Sequence, residues 1–288
     1  MLVGILLALG ASVSWTVANV AIQRSGRAVG PFRAMLWAQV TSGAGLAVLA
    51  LLLDRPTAPF DGATVVWGLV GGLAALLAYV CLFYSFERAS LSIAVPIMSS
   101  WSVIAAGIGV GLLGERLSVG QIAGAALVFT GVILVAVQPR TGGNEAAGGR
   151  AHRRTVMAAF GAAVGFGVLI PVIDHLSSSV GTLGAIPFVY GIELVLGLPL
   201  ALAARVRLGP PPASAWAIVV AAGLAETLGF AFVSLGATRA PVAVISPTAS
   251  LATTLTVLYA WLVLHERPTR VAALGAGLAC CGVVLLAL

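Results

Sequence analysis

Ten stretches of about twenty apolar residues, parted by short charged gaps, leave this chain few ways to fold. They run Leu2–Ile22, Ala34–Leu53, Ala63–Phe86, Ser92–Leu113, Val119–Val137, Thr155–Ile173, Thr182–Ala204, Ala213–Leu235, Ala240–Leu264 and Val271–Leu288. Each is long enough to cross the hydrocarbon core as a helix. The charges test the breaks, because a charge at bilayer depth is expensive. All fifteen basic residues are arginines in or beside a gap, and seven of the nine acids sit there too; Glu193 and Glu226 are the exceptions. Only 8% of the 288 residues are charged, against about 25% in an average soluble domain. The expectation is an all-α integral membrane protein of ten transmembrane helices.

The formal charge of +6 would suggest nucleic acid in a soluble protein. Here the arginines are dispersed over loops, so the charge is topological and no nucleic-acid partner is expected. Loops after odd-numbered segments hold twelve of them and loops after even-numbered segments hold Arg55, Arg116 and Arg239. By the positive-inside rule the odd loops are cytoplasmic and both termini lie outside. The first stretch lacks a basic leader and a small-residue cleavage site, and Trp15 and Asn19 interrupt it, so it reads as a retained helix. Cys81, Cys280 and Cys281 lie inside apolar stretches without ligand spacing, so neither a disulfide framework nor a metal or other cofactor is suggested.

An offset of 151 positions superposes the chain on itself. Gly10 meets Gly161, Gly30 meets Gly181, Pro59 meets Pro210, Gly72 meets Gly223, and Arg88-Ala89 meets Arg239-Ala240. The same register carries Pro96 onto Pro247, Ser99 onto Ser250, Glu115-Arg116 onto Glu266-Arg267, Gly124 onto Gly275 and Gly131 onto Gly282. The chain is a tandem duplication. Five helices per unit is an odd number, so the second unit enters the membrane from the opposite side, which is the inverted repeat of many secondary transporters. The expected organisation is residues 1–137, a cytoplasmic linker at 138–154 rich in Gly, Ala and charge, and residues 155–288.

The stretches from Ser92 to Ala136 and from Pro241 to Leu288 resemble the fourth and fifth helices of each half of EamA-type proteins in the drug/metabolite transporter superfamily. The resemblance rests on Pro96 and Pro247, on the Glu-Arg pairs that close those helices, and on the glycine-rich helices that follow. Two features depart from that pattern. Trp15 is followed by Thr16 and then Asn19, where the family often has Trp-Gly before Asn, and the basic residue nearest the start of the second helix is Arg33. The family often keeps both termini in the cytoplasm, opposite to the arginine bias. What the resemblance implies is export of a small metabolite, amino acid or drug-like solute across a bacterial inner membrane. A lipid or lipid-linked-sugar flippase is the alternative within the superfamily.

Glu226, central in the eighth segment with no arginine at its depth, must line a polar cavity or be protonated, so it is the first candidate for coupling transport to protons. Glu193 in the seventh follows the same logic, with Tyr190 one turn before it. The register places Ala75 and Ser42 opposite these acids, so the halves share a scaffold and not a chemistry. Pro96 and Pro247 each free a backbone carbonyl, tolerable in a membrane where protein or a cavity satisfies it. Ser99, Ser246, Thr248 and Ser250 around them supply hydroxyls that suit either solute binding or interhelical bonding. Trp15, Asn19 and Tyr79 complete the candidates as aromatic and amide surface. A membrane-embedded enzyme is disfavoured: there is no His-Glu-x-x-His or Gly-x-Ser-x-Gly, and the three histidines lie near segment ends. The expected working unit is a monomer, since fused halves can enclose a cavity alone.

Overall fold

The computed structural model describes residues 2–54, 58–112, 118–136, 145–203, 205–237, 239, 242–265 and 269–286. Eleven helices account for nearly all of them: α1 (Leu2–Val29), α2 (Pro31–Leu53), α3 (Gly62–Arg88), α4 (Leu91–Met98), α5 (Trp101–Leu112), α6 (Val119–Ala136), α7 (Glu145–Val180), α8 (Ala185–Ala203), α9 (Ala213–Ala237), α10 (Val242–Leu262) and α11 (Arg270–Leu286). Among the described residues six are long and apolar enough to cross a membrane: α1, α2, α3, α7 over Ala151–Val180, α8, and α9 over Ala213–Gly236. Large apolar side chains cover the outside, with Leu51 83% and Val195 73% exposed, as a lipid-facing surface requires.

Two expectations need correction. The fourth apolar stretch is not one helix. Pro96 has no N–H to donate, the helix stops at Met98, and a new one starts at Trp101. The hydroxyls of Ser99 and Ser100 donate to the carbonyls of Val95 (2.8 Å) and Ile97 (2.7 Å), beside the backbone bonds that the same two residues make to them. The segment 138–154 is not a loop throughout, because α7 begins at Glu145 and runs on through Asp174 and His175 to Val180.

The duplication reappears as reciprocal packing. The halves interleave: α1 packs on α9 and, in the same register, α7 packs on α3; α2 packs on α9 and α8 on α3; α6 and α11 pack on each other. Gly131 of α6 abuts Gly275 and Ala279 of α11, while its counterpart Gly282 abuts Gly124 and Val128 of α6. Gly72 of α3 lets Ile192 and Glu193 of α8 approach, and Gly223 of α9 does the same for Ala38, Thr41 and Ser42 of α2. Lipid is as apolar as a leucine side chain, so contact between such helices is gained by close approach and internal polar bonds. Gly30 and Gly181, also one repeat apart, turn the chain before α2 and α8 at φ 86° and 87°. Pro31 then opens α2 at a position where its missing N–H is harmless.

On the face where α2 ends, Asp54 Oδ2 accepts from the N–H groups of Leu183 (2.8 Å) and Gly184 (2.7 Å), and Ala58 N donates to Ser178 O at 2.9 Å. These bonds join the first half to the second. Beside them Asp61 caps α3: its Oδ1 accepts from the backbone N–H and the hydroxyl of Thr64, both at 2.9 Å. Those donors, the backbone N–H first, hold the Asp61 carboxyl below the usual carboxylate range.

A side chain at position 131 would have to displace backbone across α6 and α11. Gly131→Val and Gly282→Val should each destabilise the chain by roughly 1–3 kcal/mol, and to a similar extent, in thermal unfolding in detergent. The Asp61 cap stabilises fully above the ordinary carboxylate pKa and is lost as pH falls through the lower folded value. The difference in unfolding midpoint between the wild type and Asp61→Ala should therefore vanish on acidification through that value.

Candidate functional site

One polar cluster lies in the middle of the bundle, where α2 and α3 of the first half meet α8 and α9 of the second. Tyr79 from α3 donates its hydroxyl to Glu226 Oε1 of α9 at 2.7 Å. The same hydroxyl lies 2.5 Å from that of Tyr190 on α8. One turn further along α8, Glu193 receives Gln39 Nε2 from α2 at 2.8 and 3.0 Å on its two oxygens. Thr227, next to Glu226, donates to Gly223 O (2.9 Å) and Ser42 O (3.2 Å), tying α9 to α2. Tyr79 is fully buried, Glu193 is 1% exposed and Glu226 6%.

The local sequence explains the placement. Ala75 and Ala78 flank Tyr79 with small side chains, and Gly71 and Gly72 bring α8 within reach. The rings stack edge to face: Tyr79 stands 5.5 Å from Tyr190 at 85° and 5.1 Å from Phe166 of α7 at 79°. Glu226 Oε2 and Gln39 Oε1 are buried without a hydrogen-bond partner among the described residues. Such atoms are rare in a settled interior.

The candidates read from the sequence separate into three groups. Glu226, Glu193 and Tyr79 come together in this cluster. Tyr79 was read as aromatic surface; it is the hydrogen-bond bridge between the Tyr190 hydroxyl and the acid Glu226. Trp15 and Asn19 lie on α1, away from the acids' hydrogen bonds. Trp15 packs edge-on against Phe230 at 5.6 Å, and Asn19 Nδ2 donates to Thr256 Oγ1 of α10 at 3.1 Å. Ser12 and Thr16 continue that seam through the carbonyls of Ala249 and Ala252, at 3.3 Å each. Pro96 is buried at the α4 break, and Ser99 bonds Thr253 Oγ1 of α10 at 2.9 Å, linking the broken helix to its repeat counterpart. Ser246, Pro247, Thr248 and Ser250 lie on α10, but their side chains are outside the described residues, as are Glu115-Arg116 and Glu266-Arg267.

Gln39 was missed by sequence reasoning, and Tyr190 was noted only as a neighbour. A signal for Gln39 exists in the duplication, since the register that pairs Pro96 with Pro247 also pairs Gln39 with Tyr190. Both cluster residues thus occupy one repeat position.

The profile of the EamA-like transporter family matches residues 2–137 and again 153–288. The chain belongs to that family. It is therefore a multi-pass membrane protein of a transporter family, carrying two EamA-like repeats. No curated protein matches this EamA-like chain. A solved structure, described only as the crystal structure of a protein, shares 20% identity and a TM-score of 0.68 over 99% of this chain and 98% of its own. That likeness is one of fold.

The Gln39–Glu193 pair makes a prediction about the scaffold. Removing the amide leaves a buried acid without its donor, so Gln39→Leu should lower stability by about 1–3 kcal/mol. Gln39→Leu combined with Glu193→Leu should recover part of that loss in thermal unfolding.

Proposed function

We propose that this chain is a secondary transporter that exports small metabolites, amino acids or drug-like solutes across a bacterial inner membrane by alternating access, coupled to protons at Glu226. The observation that carries this reading is Glu226 itself: a buried acid at the junction of the two halves, with one oxygen held by Tyr79 and the other without a partner among the described residues. An acid placed there, with no ion pair among the described residues, has unfilled bonding capacity that a proton or a solute group can use.

Ten crossings arranged as inverted five-helix units fit the reciprocal contacts. Each unit packs its first helix against the third and fourth spans of the other, so two bodies can rock about a shared axis. Solute passes between α1, α3, the α4 and α5 pair, α7, α9 and α10, while the α6 and α11 contact stays closed. The polar seam of Asn19, Thr256, Ser99 and Thr253 lies along those helices. Both termini face outward on the arginine distribution, residues 138–154 join the halves on the cytoplasmic side, and the monomer is the working unit.

The test is flux into proteoliposomes under an imposed pH gradient, with labelled amino acids and cationic dyes. Wild type should move at least one class in a gradient-dependent way, and Glu226→Gln should reduce that flux to the background of empty vesicles. Equal flux in the mutant would remove Glu226 from the coupling step. Movement of fluorescent lipid across the bilayer, with no solute moving, would favour the flippase reading instead.

A further inference from the structure

Three arginines gather at the end of the bundle where α2 begins and α8 stops. Arg33 stands in the first turn of α2, half-buried, and Arg205 and Arg207 lie exposed in the connection between α8 and α9. Trp37, one turn after Arg33, fixes how they meet: its indole N–H donates to the carbonyls of Leu208 (3.1 Å) and Gly209 (3.2 Å). Those bonds dock the connection carrying Arg205 and Arg207 onto the stripe of α2 that carries Arg33. Among the described residues none of the three guanidinium groups donates a hydrogen bond or forms an ion pair, and Arg33 Nε is buried without a partner. No acid occurs in residues 28–53 or 194–225, and Glu87, the acid at this end of α3, is already paired with Arg88.

Arg205 also departs from local preference. It closes α8 in the left-handed conformation, at φ 54°, with its own N–H on Leu202 O (3.0 Å) and the N–H of Val206 on Ala201 O (2.9 Å). Glycine is the usual residue at that place, because a Cβ is strained there. Its counterpart one repeat earlier is Asp54, whose carboxylate is tied to the N–H groups of Leu183 and Gly184. One half uses this position for a bond within the chain; the other holds a strained backbone and turns a cation to the outside. Beside the arginines, Trp37 and Trp216 stack edge to face at 5.1 Å and 73°, an aromatic pair of the kind that marks the headgroup layer. Deeper in, exposed Val40 continues the stripe of Arg33 and Trp37 on α2, and exposed Leu198 and Leu202 face outward from α8, which packs on α2. An apolar wall therefore lies under the cations.

A ligand for this place must bring negative charge and acceptor oxygens to the guanidinium groups, and apolar length to the wall beneath them. A phosphate accepts from arginine in paired, charge-assisted bonds, and a phospholipid carries both parts in that order along the membrane normal. We propose that Arg33, Arg205 and Arg207 bind the phosphate of an anionic phospholipid, whose acyl chains lie along the outer faces of α2 and α8. A zwitterionic lipid fits less well, since the cation beside its phosphate is repelled by the three arginines. The site uses no residue of the Glu226 cluster. Its lipid ties the connection between α8 and α9 to the start of α2 at the membrane surface. On the orientation proposed above that surface is the cytoplasmic leaflet, where anionic lipid is concentrated.

Thermal unfolding of the purified full-length chain in neutral detergent, with phosphatidylglycerol or phosphatidylcholine added, tests this. Phosphatidylglycerol should raise the unfolding midpoint of the wild type, and phosphatidylcholine should not. Arg33→Gln alone, and Arg205→Gly together with Arg207→Gln, should each lose most of that rise; glycine at 205 keeps the left-handed turn without strain. Arg153→Gln with Arg154→Gln removes the same charge as the second variant from exposed positions on α7, and should keep the rise intact. The proposal is overturned if the wild type shows no rise, if both site variants keep it, or if the α7 pair loses as much as they do. An equal rise with inorganic phosphate at matched ionic strength overturns the assignment to lipid. Should one site variant fail to fold, the other decides, since the two lie on different elements. No flux is measured, so the result stands apart from the reading of Glu226.

Discussion

No water is available at the centre of a bilayer to hydrogen-bond what the protein leaves unbonded, and that absence organises the molecule. Helices satisfy their own backbones. What remains is to hold them together without a hydrophobic gain, since lipid tails welcome an apolar side chain as readily as another helix does. The chain answers with glycines at reciprocal positions. Gly131 and Gly282 bring α6 and α11 into backbone contact, and Gly72 and Gly223 bring α8 onto α3 and α2 onto α9. The same close approaches carry Glu193 and Gln39 to one another from different halves. Packing and polar site thus share a device at Gly72 and Gly223, where an added side chain would disturb both.

Much of this was legible in the sequence, for identifiable reasons. Apolar length and the exclusion of arginine from it marked the helices, because the bilayer penalises exceptions so heavily. The 151-residue register was legible because proline and glycine occupy backbone-determined positions that drift little between copies. It correctly paired Gly30 with Gly181, whose left-handed turns differ by one degree of φ. The register could not show how the copies embrace. That α1 meets α9 and α7 meets α3 depends on side-chain fit between segments with nearly uniform hydrophobicity, where many pairings look alike.

The acids illustrate the same boundary. Glu193 and Glu226 stood out because a charge in an apolar stretch is conspicuous, while Gln39 did not, an amide being cheap enough to pass as packing. Tyr79 was legible as an aromatic residue at the right depth and illegible as a hydrogen-bond bridge, since its partners come from helices more than a hundred residues away. At Pro96 the missing N–H announced a disturbance, and the full break falls at Ser99-Ser100, whose hydroxyls add bonds to the carbonyls of Val95 and Ile97. Local chemistry set the break; only tertiary structure showed that Ser99 also reaches Thr253.

Covalent fusion of the halves has a consequence for stoichiometry. In a dimer of two identical five-helix chains, symmetry would duplicate every residue, and each acid beside the axis would appear twice. Here position 75 is alanine where position 226 is glutamate, and position 42 is serine where position 193 is glutamate. A homodimer carrying either acid would crowd its axis with an even number of them. Joined in one polypeptide, the two copies keep the shape of a symmetric pair while their charges are free to be odd.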